Sequence, residues 1–325
     1  MDREVHRLTS APVPAVVVKP ETLSDICDLF EKSYEHTKCS TLTQHHRETA
    51  LKIVREKWGN FQRGALSDRR FRGDVLSWRD EMMATPSMAD LNIQSMQRLM
   101  AWAYDRGKVE FNHLTRIPPL AEKQRRAEKG VTAAQHEALL ATGSPDEIRL
   151  YLFARYTAMR RADLCLVQWS DIAADGWLQW MHSKTKKTTK AVSFYPTFAL
   201  PQLARLLDEI PRVGPHILTT HTGRQWTGEN INNRWQAWKL RAKLVDADLH
   251  FHDLRGQCIQ DMVDADCTVP QAASISGHAV AGTNVGSFSA YAARSRPLAL
   301  AAYTKLASYL DTEASSKKVV RLRRA

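Results

Sequence analysis

The sequence has little cysteine. Five are scattered along 325 residues, at Cys27, Cys39, Cys165, Cys258 and Cys267. An odd number with no C-x-x-C pair argues against a disulfide framework and a structural zinc site. Long hydrophobic runs are also missing, since no stretch approaches the ~20 apolar residues of a membrane span. The first residues, Met1-Asp-Arg-Glu, lack the positive-then-apolar order of a signal peptide. Together these absences predict a soluble, reduced, cytoplasmic protein with no membrane partner. No glycine-rich loop precedes a lysine, so no nucleotide is expected. No carboxylate cluster suited to Mg²⁺ stands near the basic motifs, so the expected cofactor and metal are none. No internal repeat is present.

Positive charge is in excess. Lys and Arg number 46 against 35 Asp and Glu, a formal charge of +11, which favours a polyanionic partner such as double-stranded DNA. Hydrophobic residues reach 43%, enough for a real core, and the length suits two domains.

Residues 1–21 hold three prolines and the run Val16-Val17-Val18, and read as an extended arm. From Thr22 the pattern turns helical, with Leu23, Ile26, Leu29 and Phe30 on one stripe and Thr22 or Ser24 as the cap. Further helices are predicted over Leu42–Trp58, Arg70–Met83 (stopped by Pro86) and Met88–Arg106 (closed by Gly107). Residues 22–115 thus read as a small helical domain. A linker, 116–130, follows, with Ile117-Pro118-Pro119 and the charged run Glu122–Lys129. Thr132 starts a second domain, 131–312. In it, a helix over 147–168 is interrupted near Ala158-Met159, and Trp177–Phe194 alternates as a β-hairpin would. Lys317 to Arg324 carries five basic residues and no acid, and 313–325 reads as a mobile basic tail. The predicted fold class is mainly α with one small β-hairpin.

Five short motifs in this second domain carry chemistry. In order they are Thr157-Ala-Met-Arg160-Arg-Ala-Asp163-Leu, the cluster Ser183-Lys184-Thr-Lys186-Lys187, Leu249-His-Phe-His252-Asp-Leu-Arg255, Ser276-Gly277-His278, and Tyr291. His252 and Arg255 lie one helical turn apart and can reach one point. Arginine offers planar paired donors for two phosphate oxygens. Any one motif alone fits a surface helix, a solvated turn or a helix cap.

In this order, the motifs resemble the catalytic domain of the tyrosine recombinases, the phage integrase family. The resemblance implies a helical core-binding domain followed by a mixed α/β catalytic domain. It makes Arg160 and Arg255 a phosphate clamp, Lys184 the proton donor to the leaving 5′-oxygen, His252 and His278 further phosphate or proton partners, and Tyr291 the nucleophile. Arg161 becomes a spare facing solvent or DNA, and Asp163 a structural acid able to orient Arg160 or Arg255. Tyr303 and Tyr309 fit an amphipathic last helix as packing residues. Two departures stand out. Ala158 occupies a position where the family usually has glycine. Ser287 occupies the usual place of the nucleophile, and Tyr291 is the first tyrosine after His278. The implied activity is metal- and ATP-independent cutting and rejoining of DNA through a 3′-phosphotyrosine. Homotetramers would act on two DNA sites, with accessory DNA-bending proteins as further partners and a bacterial, phage or mobile-element origin. Family members close their helical domain and catalytic domain as a clamp around the duplex. A type IB-like topoisomerase and a catalytically inactive integrase-like DNA-binding protein are the competing readings.

Overall fold

The computed structural model describes residues 22–122, 129–183, 192–278 and 295–324, with side chains to Ala314. The chain divides into two compact units, Met1–Gln124 and Arg125–Ala325. Each has its own hydrophobic core. The arm 1–21 lies outside the described residues.

The first unit is all helical: α1 (Leu23–Glu31), α2 (Tyr34–Thr37), α3 (Thr41–Trp58), α4 (Arg63–Leu66), α5 (Arg69–Glu81) and α6 (Pro86–Asp105). Thr22 and Asp25 form a capping box that satisfies the first free amides of α1. The buried stripe of α1 is Leu23, Ile26, Cys27 and Phe30, while Leu29 points outward. The i, i+3, i+4, i+7 spacing of the buried set follows the 3.6-residue period, and Leu29 falls off it. Trp58 meets Phe71 and Trp78 edge-on at 5.5 and 5.4 Å, joining α3 to α5. Pro86 does more than stop α5: it opens α6, where its missing N–H costs nothing.

The second unit runs α7 (Ala133–Thr142), α8 (Pro145–Thr157), α9 (Arg161–Leu164), β1 (Trp177–Met181), β2 (Val192–Pro196), α10 (Pro201–Glu209), α11 (Gly228–Arg241), α12 (Asp253–Asp264), α13 (Val269–Ser276) and α14 (Arg296–Arg324). Thr132 caps α7 through a capping box with Gln135. The strands pair antiparallel with Trp177 opposite Pro196 and Met181 opposite Val192. β2 packs on α13 and α14. Through the expected basic tail α14 continues to Arg324. Residues 313–324 contain no proline or glycine, and Ala, Lys and Arg are good helix formers.

Candidate active site

The break in α8 builds the first part of the site. Ala158 takes a left-handed conformation (φ 51°), and its N–H closes on the Ala154 carbonyl at 3.1 Å. For a residue with a Cβ this costs about 1–2 kcal/mol, which explains why glycine is the common choice at such a turn. The chain then re-enters a helix at α9 with Arg160 as its N-cap residue. Among the described residues Arg160 Nη1 is buried without a hydrogen-bond partner, and Asp163 Oδ2 lies 3.9 Å away. That is too far for a hydrogen bond, so the donor stays available.

His252 and Arg255 are placed by the packing of the strand-like approach to α12. Leu249 and Phe251 are buried, Trp235 Nε1 donates to the Leu249 carbonyl at 3.1 Å, and the alternation leaves His252 outside. One turn later Arg255 points inward and is 4% exposed. It donates to the carbonyls of Ala158 and Ser276, the latter at 2.7 Å, and lies 3.2 Å from a ring nitrogen of His278. No carboxylate pairs with it among the described residues. Burial, and then the Arg160 cation, lower its pKa to about 10, so it remains charged at neutral pH.

The third part is the end of α13. Thr268 and Gln271 form its capping box, Pro270 sits in its first turn, and Gly277 ends it in the left-handed region (φ 70°). That cap turns His278 back, with its Nδ1 3.0 Å from Ser276 Oγ. His278 reaches solvent along one edge. Partial burial, then the charges of Arg255 and Arg160, push its pKa down to about 4. Burial and Arg255 also lower that of His252. Both rings are therefore neutral at pH 7 in the free protein.

Four expected residues, Arg160, His252, Arg255 and His278, thus converge from three separate helix ends and feel one another's charge. Lys184, with Lys186, Lys187 and Lys190, and Tyr291, with Ser287, lie outside the described residues. Arg161 is not simply turned to solvent. It donates to Asn232 Oδ1 on α11 and packs beside Gly228. Tyr303 is fully buried and donates to the Tyr156 carbonyl at 2.8 Å. Burial raises its phenol pKa well above the usual value, as it raises those of Tyr151 and Tyr195. Asp163 turned out to serve other partners than Arg255. Its carboxylate accepts from His182 Nδ1 at 3.1 Å and from the Ser183 amide at 3.0 Å. Burial alone would raise its pKa, but these donors hold it below the ordinary carboxylate range.

His182 escaped the motif reading. The available signal was the two-residue period of β1: Leu178 and Trp180 face inward, which carries position 182 inward too.

The model of the phage integrase family matches residues 129–295. Among curated proteins no sequence matches the chain. Solved structures that share its fold include three integrase–DNA complexes. A lambda integrase dimer bound to a COC′ core site is 18% identical, covering 85% of this chain and 78% of that one, with a TM-score of 0.63. A lambda integrase tetramer bound to a Holliday junction is 16% identical, covering 81% and 80%, with a TM-score of 0.65. The Tn1549 transposon integrase in complex with transposon right-end DNA is 12% identical, covering 83% and 98%, with a TM-score of 0.63.

Proposed function

The chain belongs to the phage integrase family of tyrosine recombinases, whose model matches just over half of it, and we propose that it is a site-specific DNA recombinase acting through a 3′-phosphotyrosine. The observation that carries this reading is Arg255. A guanidinium buried to 4% exposure, charged at neutral pH and held by two carbonyls and a neutral imidazole, with no carboxylate among the described residues, is costly unless an anion completes it. Arg160, with its unpartnered Nη1, and the two neutral imidazoles stand around the same place. Such a set fits a DNA phosphate and the extra charge of its pentacoordinate transition state.

Tyr291 is the proposed nucleophile. Supporting this, every other tyrosine of the second unit falls within the described residues, and Tyr151, Tyr195 and Tyr303 are fully buried. A phenol ionises near pH ~10, so the site must favour its phenolate. Tyr291 Oη attacks the scissile phosphorus as His252 takes its proton. The bond from phosphorus to the 5′-oxygen breaks, and Lys184 supplies the proton to that oxygen. A 5′-hydroxyl from another strand reverses the step on a new partner. The bond energy stays in the ester, so neither metal nor ATP takes part. Assembly is proposed as a homotetramer on two duplexes, as the lambda integrase tetramer sits on a Holliday junction. The first unit, residues 22–122, is proposed to add phosphate contacts.

The test is a nicked suicide duplex carrying the target site, resolved on a denaturing gel with EDTA present. Wild type should form a covalent adduct, and Tyr291→Phe should form none while binding DNA as before. An adduct that persists in Tyr291→Phe moves the nucleophile elsewhere. Relaxation of a supercoiled plasmid by a monomer without strand exchange would favour the type IB-like topoisomerase.

A further inference from the structure

His182 is fully buried at the end of β1, where an apolar side chain would pack without any need for partners. Its ring is instead held on three sides. Nδ1 is 3.1 Å from Asp163 Oδ2, and because an ionised carboxylate only accepts, Nδ1 carries the proton and donates. Nε2 is 2.7 Å from Ser193 Oγ on β2 and, in the neutral ring, accepts from that hydroxyl. The third side is Gly277, whose backbone lies so close that a Cβ there would fall 2.0 Å from His182 Nε2.

Each contact leads to a group of the site. Asp163 stands behind Arg160, and its other oxygen fixes the Ser183 amide. Gly277 separates Ser276, whose carbonyl accepts from Arg255, from His278. The ring therefore touches the supports of both arginines and of His278, which arrive on α9, α12 and α13. Such a group would set distances that the separate helix ends cannot set for one another.

We propose that His182 is a positioning residue of the recombination chemistry: one buried imidazole holds Asp163 behind Arg160 and seats the Gly277 backbone that presents Ser276 and His278. The inference rests on the recombinase reading above. A role confined to stability would move melting, DNA affinity and cleavage together. A positioning role lowers the cleavage step further than any loss of melting, and leaves affinity in place.

The experiment is single-turnover cleavage of the nicked suicide duplex by the full chain, with DNA affinity and thermal melting measured on the same preparations. His182→Ala should cut the cleavage rate by about 10- to 100-fold, the usual cost of removing a group that orients a reacting one. Affinity should be unchanged. His182→Asn, whose amide can still donate toward Asp163, should recover most of the rate. His182→Gln, which reaches toward Ser193 instead, should not. Ser193→Ala, a change too small to threaten folding, should slow cleavage less than His182→Ala does. Gly277→Ala should slow it as well, and adding His182→Ala should cost little more, because the clash and the lost ring act on one contact. Wild-type cleavage with equal cleavage by His182→Ala overturns this inference alone. So does parallel loss of melting, affinity and cleavage, or an Asn variant no better than Ala. A wild-type chain that forms no adduct overturns the recombinase reading and this inference with it.

Discussion

The two units treat arginine in opposite ways. In the helical unit several guanidinium groups, none of them fully buried, bridge one element to another. Arg55 pairs with Asp28 and Glu31 at 2.7 and 2.8 Å, Arg72 donates to the carbonyls of His113 and Thr115, and Arg79 to that of Pro118. These side chains tie helices and loops together near the surface. The second unit also buries charge in satisfied networks. Asp146 and Glu147, 3% and 1% exposed, meet Arg234 and Arg241, and Arg155 meets Asp261. Arg255 is buried to the same degree with no carboxylate partner among the described residues: it donates to two carbonyls and lies beside the His278 ring, whereas Lys239, also buried, meets the Ala247 carbonyl. A buried charge that is paired holds a fold together; one left open marks where an anion belongs.

Four experiments would break or sharpen that contrast. The largest effect is expected at the open charge. Arg255→Ala and Arg160→Ala should each lower cleavage by about 10²–10³-fold, the cost of one preorganised transition-state donor. Arg55→Ala or Arg79→Ala should leave the cleavage step unchanged. Single-turnover rates on the nicked duplex decide this, and an equal loss from Arg79→Ala would erase the distinction between the units.

Stability should respond the other way round. Asp261→Ala removes the carboxylate partner of the half-buried Arg155 and should cost about 1–3 kcal/mol in denaturant unfolding. Arg255→Met, which keeps the volume and removes an unpaired charge, should cost less. If Arg255→Met proves the more damaging, Arg255 is a structural residue.

A pH titration is the third test. The folded pKa of His278, about 4, lies below the ordinary ~6.5. Protonation therefore opposes folding. Its contribution is fully present above about pH 6.5 and is lost as pH falls toward 4. His278→Asn should flatten the melting-temperature profile in that window, and an unchanged profile would remove the depressed pKa. Bound DNA should weaken the effect, because a phosphate favours the imidazolium.

The smallest effect is expected at the turn. Ala158→Gly relieves a left-handed residue but adds chain entropy to the unfolded state, so stability should rise by no more than about 1 kcal/mol. A clear loss would mean that packing around the fully buried Ala158 methyl outweighs the strain.

Much of the fold could be read before the structure was known, and for local reasons. Thr22 and Thr132 announce helix starts within a few residues of themselves, and those helices are present. The break at Ala158-Met159 and the hairpin after Trp177 were also legible, from a lost helical period and from alternation. The short helices α2 and α4 were not, because four residues carry too little periodicity to stand out. Leu29 was placed on the stripe by an i, i+6 spacing, but the buried face follows i, i+3, i+4, i+7 and takes Cys27 in its place.

The sequence by itself determined which residue types are available for the chemistry and in what order they come: Arg160, Lys184, His252, Arg255, His278 and Tyr291. It could do so because each motif is local, spanning one turn or one loop. Only the tertiary structure decided which charges are open and which are spent. Arg161 was expected to face solvent or DNA, yet it is taken by Asn232. His182 looks like nothing, yet lies between Asp163, Ser193 and Gly277. Those outcomes depend on hydrogen-bond partners from 11 to 71 residues away in sequence, and the energy of a charge depends on what surrounds it in space.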